Sequence, residues 1–147
     1  MVSGPGAARL AGVSYRQLDH WARQGWAAPS ACEGRARRYT VGDVARVCLL
    51  RHVGQSGLNL SRLGPQLAGL ELSGAGWVII DAADTVTVVP ADAGTDGLAE
   101  LVGRPGLRCV FDAAACLDRL DRRPRSGTGD AADGAAGEAA VLLRKGA

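Results

Sequence analysis

The sequence predicts an α+β chain, helical in its N-terminal half and strand-containing behind it. Three observations carry this. Apolar residues recur at the spacing of a helix face between Ser14 and Gly25. An arginine-rich stretch, residues 31–38, runs into Tyr39-Thr40 and a second helical pattern. Beyond Ser73 the pattern changes to short Val/Ile/Thr runs with turn residues between them. The 147 residues, 47% of them apolar, suffice for one ordinary domain or a small one with an appendage.

Each element has its own local signal. Pro5-Gly6 opens the fold after a short flexible tip, and Ala7, Ala8, Leu10 and Ala11 give a short apolar stripe stopped by Gly12. Ser14 is a good N-cap, and Leu18, Trp21 and Ala22 form the buried face of a second helix that ends with Gly25 at its C′ position. Two short helices around a tight turn, the second amphipathic with a polar outer face, make a helix-turn-helix pattern. Residues 26–30 are an extended apolar segment, and residues 31–40 read as a β-ribbon, or wing, with a basic tip. Thr40 caps a third helix with Val41, Val44, Val47, Cys48, Leu50 and Val53 inward, its end bracketed by Gly54 and Gly57. A fourth helix runs from about Leu60 to Leu67 and is weakened by Pro65.

Residues 73–76 are a turn or linker. Residues 77–81 and 85–90 then form a hairpin, 98–102 a helix, 107–111 a third strand and 113–120 a last helix. From residue 122 the composition becomes Arg/Pro/Gly/Ala/Asp-rich, with almost no large apolar residue, and predicts disorder. The expected organisation is therefore residues 1–70 as a winged helix-turn-helix domain, 71–121 as a small α+β unit for dimerisation, a partner or a ligand, and 122–147 as a flexible tail. Trp77 and Phe111 read as the minimal core of the second unit; the alternative is a ligand pocket lined by both.

Charge distribution says more than the net +2. From Met1 to Leu67 nine arginines stand against three acids, and the remainder holds eight basic and twelve acidic residues. A basic half joined to an acidic half suits a nucleic-acid module with a separate regulatory or assembly part. No apolar run approaches the roughly 20 residues that span a bilayer. The N-terminus lacks a basic segment followed by a long apolar one, so the expectation is a cytoplasmic, nucleoid-associated protein with no membrane partner. Cys32, Cys48, Cys109 and Cys116 form no C-x-x-C pair, and His20 and His52 complete no zinc spacing. They are expected to be buried or incidental thiols, with a redox or metal sensor as the alternative. No cofactor or metal set is expected.

Duplex DNA is bound by neutralising phosphates and read through base edges in the major groove, by a helix presenting polar groups near its N-terminus. Ser14, Tyr15 and Arg16 stand at such a place. Arg16 suits a bidentate contact to guanine, Tyr15 a phosphate or a thymine methyl, and Ser14 a phosphate or simply the helix cap. Arg35, Arg37 and Arg38 lie in the wing, where they would grip the flanking backbone; Arg23 and Tyr39 complete the candidate DNA-binding set. No GxSxG, phosphate-cradling glycine loop or HExxH is present, and Asp81, Asp84 and Asp112 read as turn and cap residues, so no enzyme is expected.

The string Gly12-Val13-Ser14-Tyr15-Arg16-Gln17-Leu18-Asp19-His20-Trp21-Ala22-Arg23-Gln24-Gly25-Trp26, with Pro29-Ser30, Arg37-Arg38-Tyr39-Thr40 and Asp43-Val44, resembles the MerR family of bacterial transcription regulators. It is most similar to an actinobacterial branch carrying YRQLDYWAR in the recognition helix. Residues 57–63, Gly-Leu-Asn-Leu-Ser-Arg-Leu, resemble that family's step into its fourth helix. The resemblance spans about residues 6–67. It implies helix-turn-helix, wing and two further helices, contacts to DNA from Ser14, Tyr15, Arg16 and Arg37, and structural aromatics at Trp21 and Tyr39. Asp19-His20-Trp21-Ala22 replaces an R-Y-Y-E string of many members, so the contacts of that arginine and tyrosine are not carried over. The family's long dimerisation helix is broken by Gly69, Gly74 and Gly76, so a homodimer is expected to use residues 77–120. Two other readings share the module: an excisionase-like or architectural accessory protein, and a winged-helix protein-interaction module that touches RNA polymerase or sigma factor.

Overall fold

The computed structural model describes residues 1–103 and 105–123. It is α+β, with six α-helices and two three-stranded antiparallel sheets among the described residues. The chain begins with β1 (Val2–Ser3), α1 (Gly4–Ala11) and α2 (Tyr15–Arg23). The hairpin β2 (Ala31–Glu33) and β3 (Ala36–Tyr39) leads into α3 (Val41–Gln55) and α4 (Leu60–Ala68). Behind them come β4 (Ala75–Asp81), β5 (Val86–Pro90), α5 (Gly94–Val102), β6 (Leu107–Asp112) and α6 (Ala113–Asp121). The flexible tail expected over 122–147 lies, from residue 124 on, outside the described residues.

The N-terminal tip is not loose. Val2 and Ser3 pair with Tyr39 and Arg38, so the wing sheet has the order β1-β3-β2. Ser3 also caps α1, its Oγ accepting from the Gly6 amide at 3.2 Å. Short-range sequence signals do not reveal this strand, because its partner lies more than 30 residues away. The turns follow the sequence closely. Gly12 ends α1 in the left-handed region (φ 71°), and Gly25 (φ 78°) follows α2, where a side chain would be strained.

Helix α3 is the centre of the molecule. Thr40 and Asp43 close a capping box at its start. One buried face was expected, yet Ala45 and Leu49 are fully buried beside Val44, Val47, Leu50 and Val53, while Val41 is exposed. The reason is tertiary: α1, α4, α6 and β6 all pack against α3. Ala7, Ala8 and Ala11 let α1 approach it closely. Each large apolar side chain buried here contributes about 1.5–3 kcal/mol relative to exposure.

The second sheet has the order β5-β4-β6. Strand alternation divides its residues. Val78, Ile80, Cys109 and Phe111 join the cluster that holds Leu18, Trp21, Val47 and Leu50, and Ala113, Cys116 and Leu120 of α6 complete it. Ile79, Val89 and Val110 turn to the other face, where Trp77, Leu107 and the α5 residues Leu98 and Leu101 cover them. Trp77 and Phe111 therefore belong to opposite faces of the sheet, so one pocket lined by both is excluded. The three scattered acids do structural work. Asp81 Oδ1 accepts from the Ala83 and Thr85 amides in the β4–β5 turn. Asp84 takes the left-handed conformation (φ 59°), and Asp112 caps α6 through the Ala115 amide at 2.8 Å.

Candidate nucleic-acid interface

Helix α2 buries Leu18 and Trp21 and turns its remaining side chains outward. Ser14 is its N-cap, with Oγ accepting from the Gln17 amide at 3.1 Å. Tyr15 is half exposed, its ring lying against Gly4, where an added Cβ would come within 2.8 Å of the tyrosine ring. Arg16 and Arg35 are exposed, and neither forms an ion pair among the described residues. A cationic side chain at the N-terminal end of an outward-facing helix is free to meet an acceptor on another molecule.

The wing projects beside this helix. Its turn carries Gly34 in the left-handed region (φ 61°), followed by Arg35. Arg38 pairs with Glu33 across the hairpin, Nε at 3.0 Å and Nη2 at 2.9 Å from Oε2. Arg37 turns the other way. Its Nη1 donates to Asp19 Oδ1 on α2 at 2.7 Å, while Arg23 Nη2 meets Asp19 Oδ2 at 2.8 Å. The hydrogen bond to Asp19 raises the Arg37 pKa further, so its charge is permanent. Asp19 thus joins the recognition-type helix to the wing by one charge-assisted bond, about twice as strong as a neutral one.

Tyr39 is corrected by the structure. It is 0% exposed. On β3 it lies opposite Val2 and on the inward side of the strand, so its side chain reaches no phosphate and serves the core. The sequence signal was ambiguous, because a strand aromatic next to two arginines looks the same whether it points in or out.

Three positioning residues, Asp43, Arg46 and Trp26, escaped the sequence reading as such. Asp43 is buried, and its Oδ2 accepts from both the Ser30 amide (3.1 Å) and the Thr40 amide (2.8 Å). It therefore clamps both ends of the wing to the start of α3. Arg46, 3.5 Å from Asp43 Oδ1, also donates to the Leu70 carbonyl. Trp26, just before the wing, lies on Gly64 of α4 so closely that a Cβ there would stand 2.5 Å from the indole. The capping box around Asp43 is legible in sequence; its reach to Ser30, thirteen residues earlier, is not.

No group of three or more His, Cys, Asp or Glu residues among the described residues is placed to hold a metal ion. Nor is any helix among them long and apolar enough to cross a membrane.

Comparison with known proteins bears on this face. Residues 5–65 match the profile of the MerR HTH family regulatory protein. Over 64 residues the chain is 34% identical to HTH-type transcriptional regulators of Mycobacterium bovis and Mycobacterium tuberculosis. That stretch is 41% of this chain and 28% of each relative, so the chain spans little more than a quarter of the length of the curated relatives it matches.

Proposed function

We propose that this chain, whose residues 5–65 are a MerR-type helix-turn-helix domain, is a transcription regulator that reads a specific duplex DNA site. The observation that carries the reading is the face built by α2 and the wing. Arg16 is exposed at the start of an outward-facing helix, and an arginine-bearing hairpin is braced beside it by Asp19–Arg37. In this reading Arg16 enters the major groove and makes a bidentate contact to a guanine edge. Tyr15 flanks it, and Ser14 holds the helix N-terminus so that both are presented. Arg35 at the wing tip, with Arg38 and Arg23, meets the flanking phosphates, and Arg37 fixes the wing at the angle that lets it do so. A DNA partner makes a cytoplasmic, nucleoid-associated location the natural one. A homodimer would bring two such faces to the DNA, with residues 77–120 as its contact.

The test is selection of binding sites from a random duplex library by the full chain, at two salt concentrations. An enriched inverted repeat is the expected result, and its spacing locates the dimer axis. A single enriched half-site would instead support a monomeric architectural protein. No enrichment, with binding lost at moderate salt, would overturn sequence reading and leave a protein-interaction module, with polymerase or sigma factor as the partner to try.

A further inference from the structure

Cys48 of α3 and Cys116 of α6 come from distant parts of the sequence and meet where these two helices pack. Both are buried. Arg119, one turn beyond Cys116, reaches over the pair: its Nη2 lies 3.8 Å from Cys48 Sγ and 3.7 Å from Cys116 Sγ. A hydrogen bond shared between the two thiols is the main influence on both of their pKa values. That bond lowers the Cys116 pKa to about 7, and Arg119 lowers it too, against burial and the nearby Asp112 carboxylate. Cys48 keeps the shared proton, and its own pKa is raised by the same bond and by burial, against Arg119 and Arg51. The other two cysteines lack this setting. Cys32 is exposed, and Cys109 sits at 3.7 Å from Ser56 Oγ with its pKa raised by burial.

We propose that Cys48 and Cys116 form a redox-active dithiol that hydrogen peroxide converts to an internal disulfide tying α3 to α6. The chemistry needs a thiolate, a second thiol within reach and a cation to hold the charge, and the α3–α6 contact supplies all three. The Cys116 thiolate attacks one peroxide oxygen. The O–O bond breaks, hydroxide leaves and takes a proton to become water, and Cys116 becomes a sulfenic acid. The Cys48 sulfur then attacks Cys116 Sγ. The S–O bond breaks, and the departing hydroxide leaves as a second water with the Cys48 proton. Two electrons pass from the two thiols to one peroxide, and a dithiol reductant reverses the change. Burial restricts the oxidant to a small one. This inference is independent of the DNA reading.

The experiment treats the reduced full chain with hydrogen peroxide, alkylates the remaining thiols under denaturing conditions and maps the peptides by mass spectrometry. The expected product links Cys48 to Cys116 within one chain. Cys48→Ala should leave Cys116 as a sulfenic acid that dimedone traps, and Cys116→Ala should leave Cys48 reduced. Arg119→Gln should slow the reaction near pH 7, roughly tenfold for each unit by which the Cys116 pKa recovers, and leave the rate near pH 10 unchanged. Circular dichroism checks that each variant is folded. The proposal is overturned if Cys48 and Cys116 stay fully alkylatable while Cys32 oxidises. It is equally overturned if Cys48 oxidises as fast in Cys116→Ala as in the parent, or if Arg119→Gln changes nothing at either pH.

Discussion

At the scale of single residues, exposure and pairing separate the arginines into different jobs. Arg16 is exposed and makes no ion pair among the described residues, which suits a base contact. Arg16→Ala should relax specificity and cost about 1–3 kcal/mol at one base pair. Competition assays with single-base variants of the selected site check this; equal loss on specific and random DNA would remove Arg16 from base reading. Arg37 is already engaged by Asp19. If it also touches a phosphate, Arg37→Ala should weaken binding to all duplexes and make the salt dependence shallower by about one unit. Lower affinity with an unchanged slope would assign it to bracing alone, and Asp19→Asn should then produce the same loss. The arginine-rich character of this face was legible in sequence. That Arg37 is held by an acid from α2 and Arg38 by Glu33 was not, because each pairing depends on the angle between wing and helix.

At the scale of elements, the wing is a short hairpin that owes its position to α3. Asp43 accepts from backbone amides at both of its ends and closes the helix cap as well. Asp43→Ala leaves those donors unpaired, at about 1–3 kcal/mol for a buried group, and removes a capping-box partner. Urea unfolding should show a loss of that order, and amide exchange should show Ser30 and Thr40 deprotected; a variant with neither change would mean the clamp is dispensable. The local signals for α2, α3 and α4 were strong because cap, apolar stripe and terminal glycine agree within each segment. Helix α4 runs through Pro65 without interruption because its buried residues, Leu63, Gly64 and Leu67, hold it from the core side.

For the whole molecule, the core does not stop at residue 70. Val78, Ile80, Phe111 and Leu120 pack into the same cluster as the helix-turn-helix residues. A chain ending at residue 70 would uncover the part of α3 around Cys48 and His52 that meets α6 and β6, and should lose the cooperative melt expected of the full chain in circular dichroism. A truncated chain melting at the same temperature would refute the shared core. His52 should make the contact pH-sensitive. Its Nε2 lies 2.9 Å from the Val110 carbonyl of β6 and its ring lies against Phe111. Burial lowers its pKa below the ordinary 6.5, against the bond to Val110, and Arg51 lowers it further. Since the unfolded chain takes up this proton first, stability should fall as pH drops through about 6.5 and level off below the folded-state pKa. Urea titrations between pH 8 and 5 test this. His52→Gln should flatten that part of the curve, and an unchanged curve would rule His52 out.

By itself the sequence determined the element order from α1 onward, the caps of α2, α3 and α6, the turns, the arginine-rich N-terminal half and the α+β class, because these depend on residues within one or two turns of each other. Only the tertiary structure decided that Val2–Ser3 closes the wing sheet, that Tyr39 points inward and that Asp43 clamps the wing. The same holds for the core shared across both halves and for the meeting of Cys48 with Cys116 beneath Arg119. Each joins residues distant along the chain, and which distant residues meet is chosen by the burial of all the apolar faces together.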